Sequence, residues 1–209
     1  MTARDAAVYS LVVLALSAFA VFFALGGIVA HRPPTDIEYV VHNAVYGKSV
    51  AVAVKLTTVG RFPAYLAASL LSIVIAFGWR RWLRDAVFAI ASLLVAWQAS
   101  DFFKVYFARI RPPGQLVFSE SSYSYPSGHA TLAIAFYGAW AFFIWRSPLP
   151  SLVRFFLVTG LVVLIVGIGW SRLALGAHYL NDVLGGYLLG FSFAALAVVA
   201  SRLRSAANL

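Results

Sequence analysis

Residues 6 to 30 read AAVYSLVVLALSAFAVFFALGGIVA and contain no charged side chain. A helix rises 1.5 Å per residue, so this stretch spans roughly 37 Å and can cross a hydrocarbon core of about 30 Å. A cleaved signal peptide has a shorter apolar stretch and a small-residue cleavage site. The segment is therefore expected to be retained as a signal anchor.

Outward from this stretch the pattern repeats. Apolar segments occupy about 62–79, 85–104, 130–146, 153–171 and 179–201. The 209 residues are 62% hydrophobic and 11% charged, against roughly 25% charged in soluble domains, and the mean hydropathy is +0.87. The expected fold is all-α, an integral membrane bundle of six transmembrane helices. Six spans leave little chain for anything else, so residues 1–209 are expected to form a single domain. Pro33-Pro34 should break the first helix, and residues 36–59 have room for a short interfacial helix.

The net charge of +9 does not point to nucleic acid, because the basic residues are not gathered into an exposed run and no nucleic-acid module is visible. A membrane distributes them better. If both termini are cytoplasmic, the inner segments hold Arg4, Arg80, Arg81, Arg84, Arg146, Arg154, Arg202 and Arg204 against Asp5 and Asp85. Three arginines within the short loop 80–84 favour that orientation. With no cysteine, disulfides and thiolate chemistry are excluded.

Under this topology the chemistry-bearing residues converge on the outer side. Lys104 ends the third span, Ser127, Gly128 and His129 open the fourth, Arg172 ends the fifth, and His178 and Asp182 open the sixth. A single cation at a helix end is adequately explained as an interfacial anchor that snorkels to water, but anchors need no shared face and no fixed spacing. Lys104 and Arg111 are seven apart, about two turns, so they share a side if the helix persists to Pro112. Pro126 ahead of Ser127 and Gly128 suits a loop entering a helix whose free N–H groups attract an anion. An ordinary cap by Ser127 is the alternative. His178 and Asp182, four apart, would share a helix face and hydrogen-bond. The carboxylate then fixes the imidazole tautomer and leaves the other nitrogen unprotonated; a buried structural pair is the alternative. Asp101 is placed to pair with Lys104. His31, Asp36, Glu38, His42 and Glu120 fall in outer loops without a recognisable partner and are expected to be solvated.

Taken together, Lys104 to Pro112, Pro126 to His129 and Ser171 to Asp182 fit K-x6-RP, PSGH and SR-x5-H-x3-D in order. By these motifs the chain resembles the type 2 phosphatidic acid phosphatase (PAP2) superfamily, with the signature covering residues 104–182. The resemblance implies an integral membrane lipid phosphatase. His178 would attack phosphorus and form a phosphohistidine, with Asp182 on its other nitrogen. His129 would protonate the leaving oxygen and then activate water. Lys104, Arg111, Ser127, Gly128 and Arg172 would hold the phosphate. No metal and no other cofactor are implied, since the cations take the part that magnesium plays elsewhere. The implied partner is a phosphorylated lipid in the bilayer: phosphatidic acid, phosphatidylglycerol phosphate or a polyprenyl diphosphate such as undecaprenyl diphosphate. A bacterial source would favour the polyprenyl class. No obligate protein partner is evident. The expected location is the cell membrane, multi-pass, with the active site on the extracytoplasmic face. Two other readings remain: a protein that binds or transports lipid phosphate without hydrolysis, and a relative of the vanadate-dependent peroxidases, against which the six spans argue.

Overall fold

In a computed structural model of the chain, residues 3–79, 81–117 and 120–207 are described. Arg80, one of the residues behind the expected orientation, lies outside them, as do the side chains of Arg4, Arg81 and Arg204. The described residues contain helices and connections but no strand. In chain order the helices are α1 (Ala3–Val29), α2 (Asp36–Val45), α3 (Val50–Val59), α4 (Phe62–Gly78), α5 (Arg81–Phe107), α6 (Gly128–Ala133), α7 (Ala139–Trp145), α8 (Ser151–Ala174) and α9 (Leu180–Ala207). A single π turn, Ile134–Gly138, joins α6 to α7 in one continuous span.

Five segments are long and apolar enough to cross a membrane, and α4 becomes a sixth when taken with α3, to which it is joined at a 51° bend. The exposed faces confirm the solvent they are built for. Val74 and Phe77 on α4 and Phe156 and Val163 on α8 are all exposed. A water-soluble surface does not tolerate so extended an apolar belt.

Residues 36–59 form two helices instead of the one expected. Thr35 and Glu38 close a capping box that starts α2, with Thr35 N–H donating to Glu38 Oε2 at 3.0 Å. Gly47, at φ +72°, and Ser49, at φ +50°, then turn the chain before α3. Helix α5 runs three residues past the expected end at Lys104 but does not persist to Arg111. Ala108 adopts the left-handed conformation at φ +49°, and Pro112 and Pro113 prevent any return to helix. Arg111 therefore lies in the irregular segment after α5, not two turns above Lys104 on a helix.

Lipid tails are as apolar as leucine, so apolar burial supplies little drive for helices to associate, and close backbone approach matters more. Helices α6 and α9 meet this way. A Cβ at Gly186 would lie 2.6 Å from the Ser127 carbonyl oxygen, and one at Gly190 would collide with the Thr131 carbonyl. Two glycines one turn apart thus let α9 press against the backbone of α6. Helix α1 packs against α9 as well, and its Phe22 stacks on Tyr125 at 5.4 Å and meets Phe107 edge-on. Tyr125 Oη donates to the Phe22 carbonyl at 2.6 Å.

The alternating spans separate the chain's charges into two ends. One holds Arg84, Arg146 and Arg202 around a cavity of about 310 Å³; the other holds the C-termini of α5 and α8 and the N-termini of α6 and α9. Because Gly186 contacts backbone that cannot yield as a flexible side chain would, Gly186→Ala is expected to cost about 1–3 kcal/mol, the usual range for overpacking. Thermal melting in detergent measures this, and an unchanged midpoint would show that α6 and α9 do not depend on the contact.

Candidate active site

Helix α8 carries Arg172 in its last turn, where a cation meets the negative end of the helix dipole. Its side chain is 1% exposed. Arg172 Nη1 donates to Thr57 Oγ1 of α3 at 2.6 Å, and Nη2 donates to Glu120. Gly176, at φ +66°, reverses the chain after α8. A Cβ there would lie 2.6 Å from the Tyr46 ring, so the position needs glycine for space as well as for conformation.

The reversal leaves His178 ahead of α9, not on it. The expected hydrogen bond with Asp182 is correspondingly altered: Nδ1 stands 3.6 Å from Asp182 Oδ2. Ser124 lies between them, donating to Asp182 Oδ2 at 2.5 Å, with its Oγ 3.4 Å from His178 Nδ1. On the opposite side of the ring, Arg111 Nη1 is 3.0 Å from Nε2. A guanidinium can only donate, so Nε2 carries the lone pair and Nδ1 carries the proton; this tautomer is assigned from the network. Burial, followed by the fields of Arg111, Arg172 and Lys104, pushes the His178 imidazole well below its usual range.

Arg111 and Lys104 converge even though no helix joins them. Arg111 reaches Ser122 Oγ through Nη2 at 3.0 Å, and Lys104 Nζ reaches the same oxygen at 3.5 Å. The remaining Arg111 donors go to the carbonyls of Ser122, Tyr123 and Ala177. No ion pair within 4 Å joins Lys104 to Asp101, the pairing expected from their spacing. A Cβ on Gly128 would lie 3.4 Å from Lys104 Nζ, which places the start of α6 directly beside this cation.

Ser127 is the residue before α6, but its side chain makes no capping bond. Its Oγ, His129 Nε2 and Arg172 Nε are buried and have no hydrogen-bond partner. Buried polar groups without partners are uncommon and costly, and here three occur at one end of the bundle. His129 is held by its surroundings: a Cβ on Gly60 would lie 2.8 Å from its Cδ2. Lys104, Gly128, His129 and Glu120 share a pocket of about 260 Å³ with Phe62, Trp97 and Leu132. Phe62 and Trp97, with ring centroids 5.0 Å apart, are both exposed on its apolar side.

Glu120 and Glu38 correct the expectation that outer-loop carboxylates are solvated. Glu120 bridges Arg111, at 3.2 Å, and Arg172. Burial pushes its carboxyl up, but Arg172 and Arg111 outweigh burial and hold it below the usual range. Glu38, 1% exposed, lies against Arg109, itself 2% exposed, whose Nη1 also pairs with Asp182 at 2.7 Å. Sequence reading missed Arg109, Ser124 and Thr57, whose side-chain partners lie up to 73, 58 and 115 positions away respectively. The capping box Thr35-x-x-Glu38 was a usable sign for the start of α2, though not for the link to Arg109. Among the described residues, no three His, Asp or Glu side chains gather as a metal ligand set.

The fold and site define a helical membrane protein with a cation-walled pocket and two histidines at one end of its bundle. The chain belongs to the PAP2 superfamily, whose model matches residues 82–205. It is 38% identical over 91 residues to phosphatidylglycerophosphatase B of Bacillus subtilis (strain 168); the match spans 42% of this chain and 43% of that relative. It also resembles the crystal structure of a transmembrane PAP2 type phosphatidylglycerolphosphate phosphatase from Bacillus subtilis. There the TM-score is 0.77 at 25% identity, over 88% of this chain and 94% of that one.

Since an anion entering the pocket must displace the Glu120 carboxylate from Arg111 and Arg172, Glu120→Gln is expected to bind orthophosphate about three- to tenfold more tightly, a modest gain because the carboxylate is partly exposed. Calorimetric titration with orthophosphate reads this directly. Equal affinity in the two proteins would show that the carboxylate does not compete.

Proposed function

We propose that this protein is a lipid phosphatase that acts through a phosphohistidine on His178, with its site on the extracytoplasmic face. The observation that carries the reading is that Lys104 and His129 line one pocket with Glu120, which bridges Arg111 and Arg172, while Arg111 meets His178 Nε2. Anion binding alone would need the cations. It would not need an imidazole whose Nε2 lone pair is kept free of its proton.

In the proposed reaction His178 Nε2 forms a bond to phosphorus as the bond from phosphorus to the lipid oxygen breaks. His129 gives its proton to that oxygen, and the dephosphorylated lipid departs. His129 then takes a proton from water as the water oxygen attacks phosphorus. The phosphorus–nitrogen bond breaks, orthophosphate leaves and His178 is restored. Arg111 Nη1, which faces Nε2 in the free protein, would turn to a phosphate oxygen and release the nucleophile. Lys104, Arg172, the Ser127 hydroxyl and the Gly128 N–H would hold the other oxygens. Their gain is largest where charge develops in the transition state.

The apolar side of the pocket supports a lipid substrate, because Phe62, Trp97 and Leu132 would let a tail remain in the bilayer while its headgroup reaches the cations. The names of the Bacillus relatives favour phosphatidylglycerol phosphate over phosphatidic acid or a polyprenyl diphosphate. Release of orthophosphate by purified protein from these three lipids, with EDTA present, ranks the substrates. Activity is expected to survive EDTA because Lys104, Arg111 and Arg172 supply the positive charge. Binding of lipid with no release would sink the reading, and recovery of lost activity on adding magnesium would sink its metal-independent form. His178→Ala should abolish turnover while the protein still inserts.

The pH dependence has a definite sign. The His178 pKa is lowered, so the neutral nucleophile persists into more acidic solution. The acid limb of kcat/KM is expected below the ordinary histidine value of about 6.5. The proton that His129 must carry gives the profile its opposing, falling limb. A rate flat through this range would contradict the assignment of the two histidines.

A further inference from the structure

Behind His178, away from the pocket cations, lies a second set of charges of which only Asp182 is a fixed motif residue. Arg109 Nη1 donates to Asp182 Oδ1 at 2.7 Å, and its Nη1 and Nη2 donate to Glu38 at 3.0 to 3.1 Å. Glu38 is fixed in turn by the Thr35 N–H at 3.0 Å and by the Asn181 N–H at 3.2 Å. The Arg109 guanidinium also lies 4.7 Å from the centre of the Tyr179 ring. The backbone of Arg109 joins the same structure, since its carbonyl accepts the Ser124 N–H at 2.7 Å. One residue thus sets both Asp182, through its side chain, and Ser124, through its main chain.

These are the two groups that face His178 Nδ1. Asp182 Oδ2 accepts the Ser124 hydroxyl at 2.5 Å and the Tyr179 N–H at 2.8 Å, which leaves the Ser124 oxygen directed at the Nδ1 proton. Taking a carboxylate–guanidinium–carboxylate triad out of water costs several kcal/mol per ion, and apolar replacements of such triads are often neutral or stabilising. Stability alone is therefore a poor reason for the chain to bury Arg109, Glu38 and Asp182 together.

We propose that Arg109, braced by Glu38, is a positioning residue for the His178 nucleophile. It acts through Asp182 and Ser124 to hold the Nδ1–H tautomer and present Nε2 to phosphorus. The inference rests on the phosphohistidine reading above. Arg109 holds Asp182 Oδ1 and leaves its second oxygen to Ser124. As phosphorus bonds to Nε2 the ring gains positive charge, and the Asp182 carboxylate lies where it can stabilise that charge. Helix α2 takes part because Glu38 is in its first turn, so its seating sets the aim of the nucleophile from the opposite side of the pocket.

The test is a double-mutant cycle on the full-length purified protein, read as orthophosphate release from whichever of the three lipids the wild type cleaves fastest. Arg109→Gln is expected to lower kcat by about 10- to 100-fold, as loss of an orienting partner does, with KM within about threefold. Arg109→Lys restores the cation and should recover part of the loss. In an Asp182→Asn background, Arg109→Gln should cost less than about threefold more, because the two residues act as a unit. Losses that multiply, a change confined to KM, or wild-type kcat in Arg109→Gln would each overturn the proposal. If Arg109→Gln cannot be recovered folded, Glu38→Gln takes its place in the cycle. Wild-type turnover in that variant, or its failure to fold as well, would mark the triad as a stability element and overturn the proposal too. Absence of phosphate release from the wild type is a separate result that removes the phosphatase reading itself.

Discussion

Mutual repulsion among Lys104, Arg111 and Arg172 is the constraint around which one end of this bundle is organised. Two like charges 4 Å apart repel by about 4 kcal/mol at an effective dielectric of 20, several times the cost in water, and these three lie at the edge of an apolar slab. The fold meets this cost locally. Glu120 bridges two of the cations, and Ser122 Oγ is shared by Arg111 and Lys104. Three backbone carbonyls receive Arg111, while Thr57 and the end of α8 receive Arg172. A dianionic phosphate would satisfy the same cations more fully than one carboxylate.

Bringing the cations to His129 depends on helices that approach backbone to backbone. Gly186 and Gly190 let α9 press against α6, Gly60 leaves room for the His129 ring, and Gly128 lies beside Lys104. Each of these contacts removes a methyl group's width between elements carrying site residues. Packing of this kind provides the association energy that apolar burial cannot provide in lipid. It also reduces the freedom of the groups it positions.

His178 therefore sits between two buried networks with different work to do. In front, Glu120, partly exposed on a loop, bridges Arg111 and Arg172, where the proposed reaction would place a phosphate. Behind, Arg109, Glu38, Asp182 and Ser124 form a fixed frame with Arg109, Glu38 and Asp182 almost fully buried. In the proposed reaction the front would open to a headgroup while the rear stayed fixed.

The spans were readable because hydrocarbon thickness and backbone hydrogen bonding leave little choice to an apolar stretch of 20 residues or more. The start of α6 at Gly128 and the end of α8 near Arg172 followed from the same rule. Local chemistry placed Lys104, Arg111, His129 and His178 near one another, since alternation across the membrane sends those helix ends to one side. What the sequence could not carry was the partnering. Glu38 and Glu120 look like solvated loop carboxylates until Arg109 and Arg172 arrive from elsewhere in the chain. The left-handed turn at Ala108 ends α5 where a two-turn spacing to Arg111 had suggested continued helix. Ser124 separates His178 from Asp182 because His178 lies before α9 begins. Helical period and motif spacing act over a few residues, whereas these pairings join positions 52 to 115 apart. The sequence by itself determined the long apolar spans and the end of the bundle at which the motif residues gather. Only the tertiary structure decided which charge answers which, because burial makes the identity of a partner matter and burial exists only once the helices have packed.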